Sequence, residues 1–137
     1  TAAKDTPAGP VILVAEDVHL NMTLVKVLLT RFFPGSVIHE AGTGMAAIHK
    51  YKEFRPDLIL MDLQMPEMDG REATQKIREL ERDSGKRVPI IALSAEAQPE
   101  EMESSLQAGI DDYITKPIET KKLKAVLEKY LQIDMNA

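Results

Sequence analysis

Five short apolar runs alternate along the chain with longer segments whose apolar residues recur every three or four positions. The runs, in chain order, are VILVA (11–15), SVIHEA (36–41), LILM (58–61), VPIIALS (88–94) and DYIT (112–115). Short runs of this kind, bounded by turn residues, are typical of strands, and runs that are apolar throughout are typical of strands buried on both faces. The pattern therefore predicts five strands.

Each run is followed by a segment with a helical period, and Gly109 is placed to cap the fourth segment. In the first segment, one apolar helix face is predicted from Leu20, Leu24, Val27, Leu28 and Phe32. The later segments have similar faces: Ala46, Ala47, Tyr51 and Phe54; Ala73, Ile77 and Leu80; Met102 and Leu106; Leu123, Val126, Leu127, Tyr130 and Leu131. The chain thus predicts five repeats of strand then helix.

This alternation predicts an α/β fold in which a doubly wound parallel sheet carries five helices on its two faces. Runs 1, 3 and 4 are nearly uniformly apolar and are expected at the centre. Run 2 contains His39 and Glu40, and run 5 begins with Asp111 and Asp112, so both are expected at the edges. The five-stranded order 2-1-3-4-5 satisfies these expectations. It places a crevice at the carboxyl ends of strands 1 and 3, where ligands bind in such sheets.

A length of 137 residues suits one domain. The first ten residues, TAAKDTPAGP, have no apolar period, so residues 1–10 are predicted to be a linker or a cloning remnant. The domain itself is expected to span residues 11–132, with residues 133–137 as a tail. No internal repeat divides it.

Charge and composition exclude several classes of function. The formal charge of −5, from 17 basic and 22 acidic residues, argues against a direct nucleic-acid partner. The absence of cysteine excludes disulfides and thiolate metal sites. No apolar run approaches the roughly 18 residues needed to cross a bilayer, so we expect a cytoplasmic domain without membrane contact.

Polar residues of a particular kind follow the apolar runs. Strand 1 ends at Glu16 and Asp17, and strand 3 ends at Asp62. Because strands 1 and 3 are neighbours in the predicted sheet, these three carboxylates converge on one crevice. Two carboxylates 4 Å apart repel each other by about 4 kcal/mol in a medium of intermediate dielectric. A divalent cation with oxygen ligands, such as Mg²⁺, relieves that repulsion.

The ends of the last two strands complete a set suited to phosphoryl transfer. Ser94 and Ala95 offer a hydroxyl and backbone N–H groups, and Lys116 offers an ammonium. A metal neutralises phosphoryl oxygens, while a hydroxyl and a lysine hold them during attack by a carboxylate. Asp62 is the predicted nucleophile, because Glu16 and Asp17 are adjacent and belong together as metal ligands.

The segments VILVAED, LILMDLQMPEMDG, IIALSA and DDYITKP occur in the order and at the spacing of one known family. From Val11 to about Leu131 the chain resembles the receiver domain of two-component response regulators, which has a flavodoxin-like fold. The segment EDVHLN also resembles the EDNPVN pattern of receivers attached to hybrid sensor histidine kinases, from which Val18 and His19 depart.

The resemblance implies a role for each matching residue. Asp62 would be the phosphorylated residue, and Ser94, the Ala95 N–H and Lys116 would bind the phosphoryl group, with Asp62, Ser94 and Lys116 as the catalytic set. Mg²⁺, or Mn²⁺ in its place, would be bound by four residues: Glu16 (through water), Asp17, Asp62 and Gln64 (through its carbonyl).

Two further features come with the resemblance. Tyr113 would be the switch residue, which turns inward when Ser94 moves toward the phosphate. The Lys116–Pro117 peptide would be cis. Separately, the positions of Gln64 and Glu96, each two residues beyond Asp62 or Ser94, suggest that their side chains set the lifetime of the acyl phosphate.

The expected function is that of a phosphoacceptor in a two-component phosphorelay. A histidine kinase or histidine phosphotransfer protein would donate a phosphoryl group to Asp62 and so switch the surface of helix 4, strand 5 and helix 5. A dimer that depends on phosphorylation is one possible consequence. The domain would catalyse its own phosphorylation and dephosphorylation but act mainly as a signalling switch. Its parent would be a stand-alone regulator or a hybrid kinase, and such a kinase could be membrane-bound.

Three alternatives stay open at this level. An aspartate-based phosphatase usually needs a second acid two residues after its nucleophile, where this chain has Gln64. A flavodoxin-like cofactor binder needs a phosphate loop after strand 1, where this chain has two acids instead. A scaffold of receiver shape that is never phosphorylated would usually lack part of the site.

Overall fold

A computed structural model describes residues 9–65, 67–95 and 98–131, and five parallel strands form its sheet in the order β2-β1-β3-β4-β5. The strands are β1 (Val11–Ala15), β2 (Val37–Ala41), β3 (Leu58–Asp62), β4 (Ile90–Ser94) and β5 (Asp112–Thr115). The predicted order is confirmed, with the uniformly apolar runs at the centre. Every residue of β3 and β4 is buried. In the parallel register, Asp62 pairs with Leu93 and Ser94 with Thr115, so these strand ends lie side by side.

Five helices follow the strands, as predicted. They are α1 (His19–Phe32), α2 (Gly44–Phe54), α3 (Gly70–Ser84), α4 (Pro99–Ala108) and α5 (Thr120–Leu131). The sheet separates two apolar cores, one against α2 and α3 and the other against α1 and α5. None of the helices in the described part of the chain has both the length and the apolar content to cross a membrane.

The predicted apolar face of α1 is partly wrong. Leu20, Leu24 and Val27 are exposed by 75%, 46% and 51%, whereas the helix packs on the sheet through Met22, Val25, Leu28 and Leu29. Both sets have helical spacing, so periodicity alone did not distinguish them. The consequence is an exposed apolar stripe on α1, next to the carboxyl end of β1.

Helix α4 is the second place where apolar residues face outward. Met102 and Leu106, predicted as its packing face, are exposed by 40% and 61%, and the residues it buries are the small Ser105 and Ala108. Its carboxyl end is capped by Gly109 at φ +107°, as predicted. With so little apolar burial, the position of α4 depends heavily on polar contacts.

The strongest of these polar contacts comes from Arg78 on α3. Its Nε donates to the Gly109 carbonyl at 2.9 Å, and its terminal nitrogens donate to Glu81 and Asp111 carboxylates, both at 2.7 Å. A further bond joins it to the Val88 carbonyl at 2.8 Å. Glu81 and Asp111 in turn accept backbone N–H groups at the start of β4. This largely buried network joins α3, β4, α4 and β5 at the end of the sheet opposite Asp62.

Replacing Arg78 by Ala is expected to lower the free energy of unfolding by about 3 kcal/mol, because the buried Glu81 would lose its charge partner and Asp111 would keep only the exposed Arg87. Arg82→Ala, which removes an exposed arginine from the same helix, should change it by less than about 0.5 kcal/mol. Urea denaturation followed by circular dichroism measures both. A loss for Arg78→Ala no larger than that for Arg82→Ala would contradict the structural role of the network.

Candidate functional site

The carboxyl ends of β1 and β3 deliver the predicted acids to one place. Glu16 and Asp17 directly follow β1, and Asp62 is the last residue of β3. The backbone N–H of Glu16 still donates to the Ala41 carbonyl of β2, at 2.9 Å, which extends the sheet pairing as far as the acid. Leu63 similarly donates to the Leu93 carbonyl of β4 at 3.0 Å. The acids are therefore fixed by backbone that belongs to the sheet.

Glu16, Asp17 and Asp62 form a compact cluster of carboxylates. Each offers an oxygen, and these three atoms lie within 4.8 Å of one another. Glu16 and Asp62 are 2% and 1% exposed, whereas Asp17 is open to solvent. Two of the three carboxylates are thus buried, and the third can be reached from solvent.

Lys116 joins the two buried acids from the end of β5. Its Nζ lies 2.9 Å from Glu16 Oε1 and 3.2 Å from Asp62 Oδ2. Its own N–H donates to the Ser94 carbonyl at 2.7 Å, and the Lys116–Pro117 peptide is cis, as the resemblance implied. The ammonium therefore bridges the ends of β1 and β3, although it lies 100 and 54 residues away from its partners.

The pKa values of the two buried carboxylates are shifted in opposite directions. Burial raises the pKa of Asp62, and the neighbouring Glu16 raises it further, to about 7, against the opposing effects of the Gln64 N–H and Lys116. Burial also raises the pKa of Glu16, but bonds with Asp62, Lys116 and the Val18 N–H outweigh it and lower the pKa overall. Burial lowers the pKa of Lys116, yet its two carboxylate partners raise it. Asp62 is thus the acid that the cluster leaves least compensated.

The remaining predicted residues lie around this centre. Gln64 is exposed, and its N–H donates to Asp62 Oδ1 at 2.9 Å. Ser94 is buried at the end of β4, and Ala95 follows it at the surface. Glu96 lies outside the described residues.

Tyr113 is the second residue of β5, two residues before the strand ends, and it pairs with Ala92 of β4. It lines a cavity of about 120 Å³ together with Met102 and Leu106 of α4 and Ile110. It is half-buried and packs against the core that α2 and α3 cover. Its neighbours are therefore α4 and the loop before β5.

The cluster suits a hard divalent cation. All three side chains offer oxygen, the donor atom that Mg²⁺ prefers, and the exposed Asp17 gives access from solvent. Lys116 contacts two acids but supplies one positive charge, so a surplus of negative charge is left at the mouth of the site. A metal ion bound there would offset that surplus.

A sequence model of the response regulator receiver domain matches residues 12–128, which is most of the chain. The chain belongs to the response regulator receiver family. The parallel sheet in the order 2-1-3-4-5, with five helices around it, is the receiver fold. Of the interpretations open from sequence, membership of this family favours the receiver over a cofactor binder or a small-molecule phosphatase.

Curated relatives include both hybrid kinases and separate regulators. The receiver is 43% identical over 130 residues to hybrid signal transduction histidine kinase I of Dictyostelium discoideum, covering 88% of this chain but 7% of the relative. It is 36% identical over 121 residues to the two-component response regulator ORR41 of Oryza sativa subsp. japonica, covering 87% of this chain and 92% of that protein. The receiver thus spans a small part of the kinase and nearly all of the regulator.

Solved structures of receivers are closely similar. The receiver domain of a sensor histidine kinase from Pseudomonas aeruginosa, solved with a magnesium ion in its active-site cleft, is 36% identical with a TM-score of 0.81, covering 92% of this chain and all of that one. The receiver of Ssk1 from Saccharomyces cerevisiae, solved with the histidine phosphotransfer protein Ypd1, is 30% identical with a TM-score of 0.81, covering 90% of each chain.

Replacing Asp62 by Asn is expected to stabilise the metal-free receiver. Between roughly pH 4 and pH 7, Asp62 keeps its proton in the folded protein but has lost it in the unfolded chain, because folding raises its pKa. The free energy of unfolding therefore falls as pH rises through this range. Above that window the wild type carries the buried charge and the Asn variant does not. At pH 8 in EDTA the variant should therefore gain roughly 1–3 kcal/mol in free energy of unfolding.

Urea denaturation at pH 5 and pH 8 checks this, with Asp83→Asn, at an exposed position, as the control. The Asp62→Asn advantage should be larger at pH 8, and adding Mg²⁺ should raise the stability of the wild type but not that of the variant. An advantage independent of pH, or a variant that Mg²⁺ stabilises as much as wild type, would contradict the electrostatic account.

Proposed function

We propose that this receiver accepts a phosphoryl group on Asp62 from a phosphohistidine, in a two-component phosphorelay. The observation that carries the proposal is the contact of Lys116 with both Glu16 and Asp62 inside the three-carboxylate cluster. A single surface acid needs no such surroundings. An acid that must attack an anionic phosphoryl group needs positive charge beside it and a fixed orientation.

The surroundings of Asp62 suit it to in-line attack. The Gln64 N–H and Lys116 Nζ hold its two oxygens in place, one each, at 2.9 and 3.2 Å. A carboxylate oxygen of Asp62 forms the new bond to phosphorus while the bond from phosphorus to the histidine nitrogen breaks. That nitrogen keeps the bonding electron pair, and the receiver carries an acyl phosphate.

We propose that Mg²⁺ is held by Asp17 and Asp62 directly, by Glu16 through water and by the Gln64 carbonyl, with Mn²⁺ able to replace it. The ion, when bound, supplies positive charge to the acids and to the phosphoryl oxygens. Lys116 supplies a second positive charge. The oxygen-only donor set and the magnesium-bound Pseudomonas relative support this assignment.

The phosphoryl group is expected to be held by Ser94, the Ala95 N–H and Lys116, which gather at the ends of β4 and β5. Ser94 and Ala95 lead into α4, so their movement toward the phosphate would displace the start of that helix. Tyr113 packs beside α4 and is proposed to respond to this movement. Because Met102 and Leu106 are exposed on α4, the displacement alters an apolar surface that could bind an output partner or a second phosphorylated receiver.

The exposed stripe on α1 supports a protein donor. Leu20, Leu24 and Val27 share one side of α1, and Val18, 46% exposed, precedes the helix. An exposed apolar patch beside a reactive residue is typical of a docking surface. The yeast relative solved with a histidine phosphotransfer protein favours a donor of this class.

We further propose that residues 11–132 form the receiver, residues 1–10 a linker or cloning remnant, and residues 133–137 a tail. Residues 1–8 and 132–137 lie outside the described part of the chain. The similarity of EDVHLN to the hybrid-kinase pattern, and the hybrid-kinase relatives, favour a hybrid histidine kinase as the parent. In that setting the receiver would pass its phosphoryl group onward from the cytoplasmic side of the membrane.

Incubation with acetyl phosphate and Mg²⁺ tests the acceptor directly. We expect one phosphoryl group per chain, located at Asp62 by mass spectrometry after borohydride reduction, and none in EDTA. Asp62→Asn should abolish the modification, whereas Asp83→Asn should retain it because that carboxylate is exposed at the end of α3. Equal labelling of the Asp62→Asn variant, or labelling that ignores the metal, would contradict the proposed function.

The docking role of α1 is tested by comparing two phosphoryl donors. Leu20→Gln combined with Leu24→Gln should slow transfer from a phosphorylated histidine phosphotransfer protein by about tenfold or more, because both side chains would sit at the centre of the interface. Labelling by acetyl phosphate should stay within about twofold, since Asp62 is untouched. Met45→Gln, at a residue 48% exposed on α2, is the control. Equal slowing with both donors would show damage to the site instead of lost docking.

A further inference from the structure

Two arginines of α3 hold the two ends of α4. Arg71 and Arg78 lie seven residues apart, which is about two helical turns, so they project from the same side of α3. Arg71 pairs with Glu101 in the first turn of α4, and Arg78 binds the carbonyl of Gly109, which caps the last turn. Arg87 adds a second bond to the same Gly109 carbonyl, at 3.2 Å. Because α4 buries little apolar surface, such polar contacts contribute strongly to its position.

The carboxyl-terminal contact is firmly built. Arg78 is 12% exposed and also pairs with Glu81 and Asp111, so its side chain has no freedom to follow α4. The fit is close as well, since a Cβ added to Gly109 would lie 2.9 Å from Arg78 Cγ. This end of α4 is therefore fixed to α3 and β5.

The amino-terminal contact is much weaker. The side chains of Arg71 and Glu101 are partly exposed, by 23% and 36%, and an ion pair that water reaches is weaker than a buried, multiply bonded one. The Nε of Arg71 is buried and has no hydrogen-bond partner among the described residues, so the arginine is incompletely satisfied in this arrangement. Contacts of this kind are readily broken.

Arg71 itself stands on a rigid base next to the phosphoacceptor. A Cβ added to the preceding Gly70 would lie 2.4 Å from the Asp62 carbonyl oxygen, which shows how closely α3 begins against β3. The Gly70 N–H donates to the Leu63 carbonyl at 3.2 Å, and its own carbonyl accepts the buried Thr74 hydroxyl at 2.7 Å. The backbone of Arg71 is thus fixed relative to the strand that carries Asp62, whereas Glu101 moves with α4.

We propose that the Arg71–Glu101 pair is a releasable contact that holds the start of α4 in its unphosphorylated position, while the Arg78–Gly109 contact is the pivot. The inference rests on the proposed function. When Ser94 and Ala95 move toward the phosphoryl group, the start of α4 is displaced, Glu101 leaves Arg71, and the other end of the helix stays in place. Arg71 and Glu101 are positioning residues that set how readily the start of α4 is displaced.

The experiment uses beryllofluoride with Mg²⁺ as a mimic of the acyl phosphate, with binding and the backbone amide shifts of α4 followed by NMR. Arg71→Gln and Glu101→Gln should each tighten beryllofluoride binding by about two- to fivefold, because they remove a contact present in the unbound state alone. Without the ligand, their α4 amide shifts should move toward the bound positions. The double variant Arg71→Gln with Glu101→Gln should resemble either single variant, since both remove the same pair.

Two further variants test whether the effect arises from the position of α4 or from a general loss of protein stability. Arg71→Glu combined with Glu101→Arg restores opposite charges and should return the affinity and the shifts toward wild type. Lys26→Gln removes a more exposed ion pair, between α1 and Glu40 of β2, and should leave both unchanged. Variants that bind like wild type, bind more weakly, or fail to be rescued by the exchange would overturn the inference. Wild-type protein that does not bind beryllofluoride at all would instead overturn the proposed function.

Discussion

The Lys116 ammonium contacts Glu16 and Asp62 at the same time, because the parallel sheet brings the ends of β1, β3 and β5 to one edge. Two buried carboxylates and a third at the surface gather where β1 and β3 end, and one ammonium offsets them only in part. Such a group is costly for a folded protein unless something binds it. The same excess of negative charge makes the site receptive to a cation, and through that cation to a phosphoryl group.

The sheet and helix α4 have opposite mechanical properties that suit a switch. Strands β3 and β4 are buried throughout, so Asp62 and Ser94 are carried on rigid backbone. Helix α4 buries little and depends on polar contacts to α3, one of them held by several buried bonds and the other partly exposed. If Asp62 is phosphorylated as proposed, the charge change occurs on a rigid strand near a helix that few apolar contacts hold, and this would allow the modification to be read at a distance.

The fold and the centre of the site could be predicted from the sequence because both depend on chain order and strand ends. Apolar runs 1, 3 and 4 identified the central strands, and parallel topology brought Glu16, Asp17 and Asp62 together without any knowledge of side-chain positions. The side of α1 that packs on the sheet could not be predicted, since Leu20 and Val25 belong to different faces that are both apolar at helical spacing. Pairs such as Arg71 with Glu101 were also missed, because two charged residues 30 positions apart give no local signal.

A crystal structure of the receiver grown with Mn²⁺ and beryllofluoride, with the metal located by its anomalous scattering, tests whether the three acids bind a metal beside a reactive Asp62. We expect one Mn²⁺ in the cleft between Asp17 and Asp62, beryllium bonded to an Asp62 carboxylate oxygen, and fluorine atoms in contact with Ser94 and Lys116. Beryllium on a different carboxylate, or manganese bound away from the three acids, would contradict this expectation.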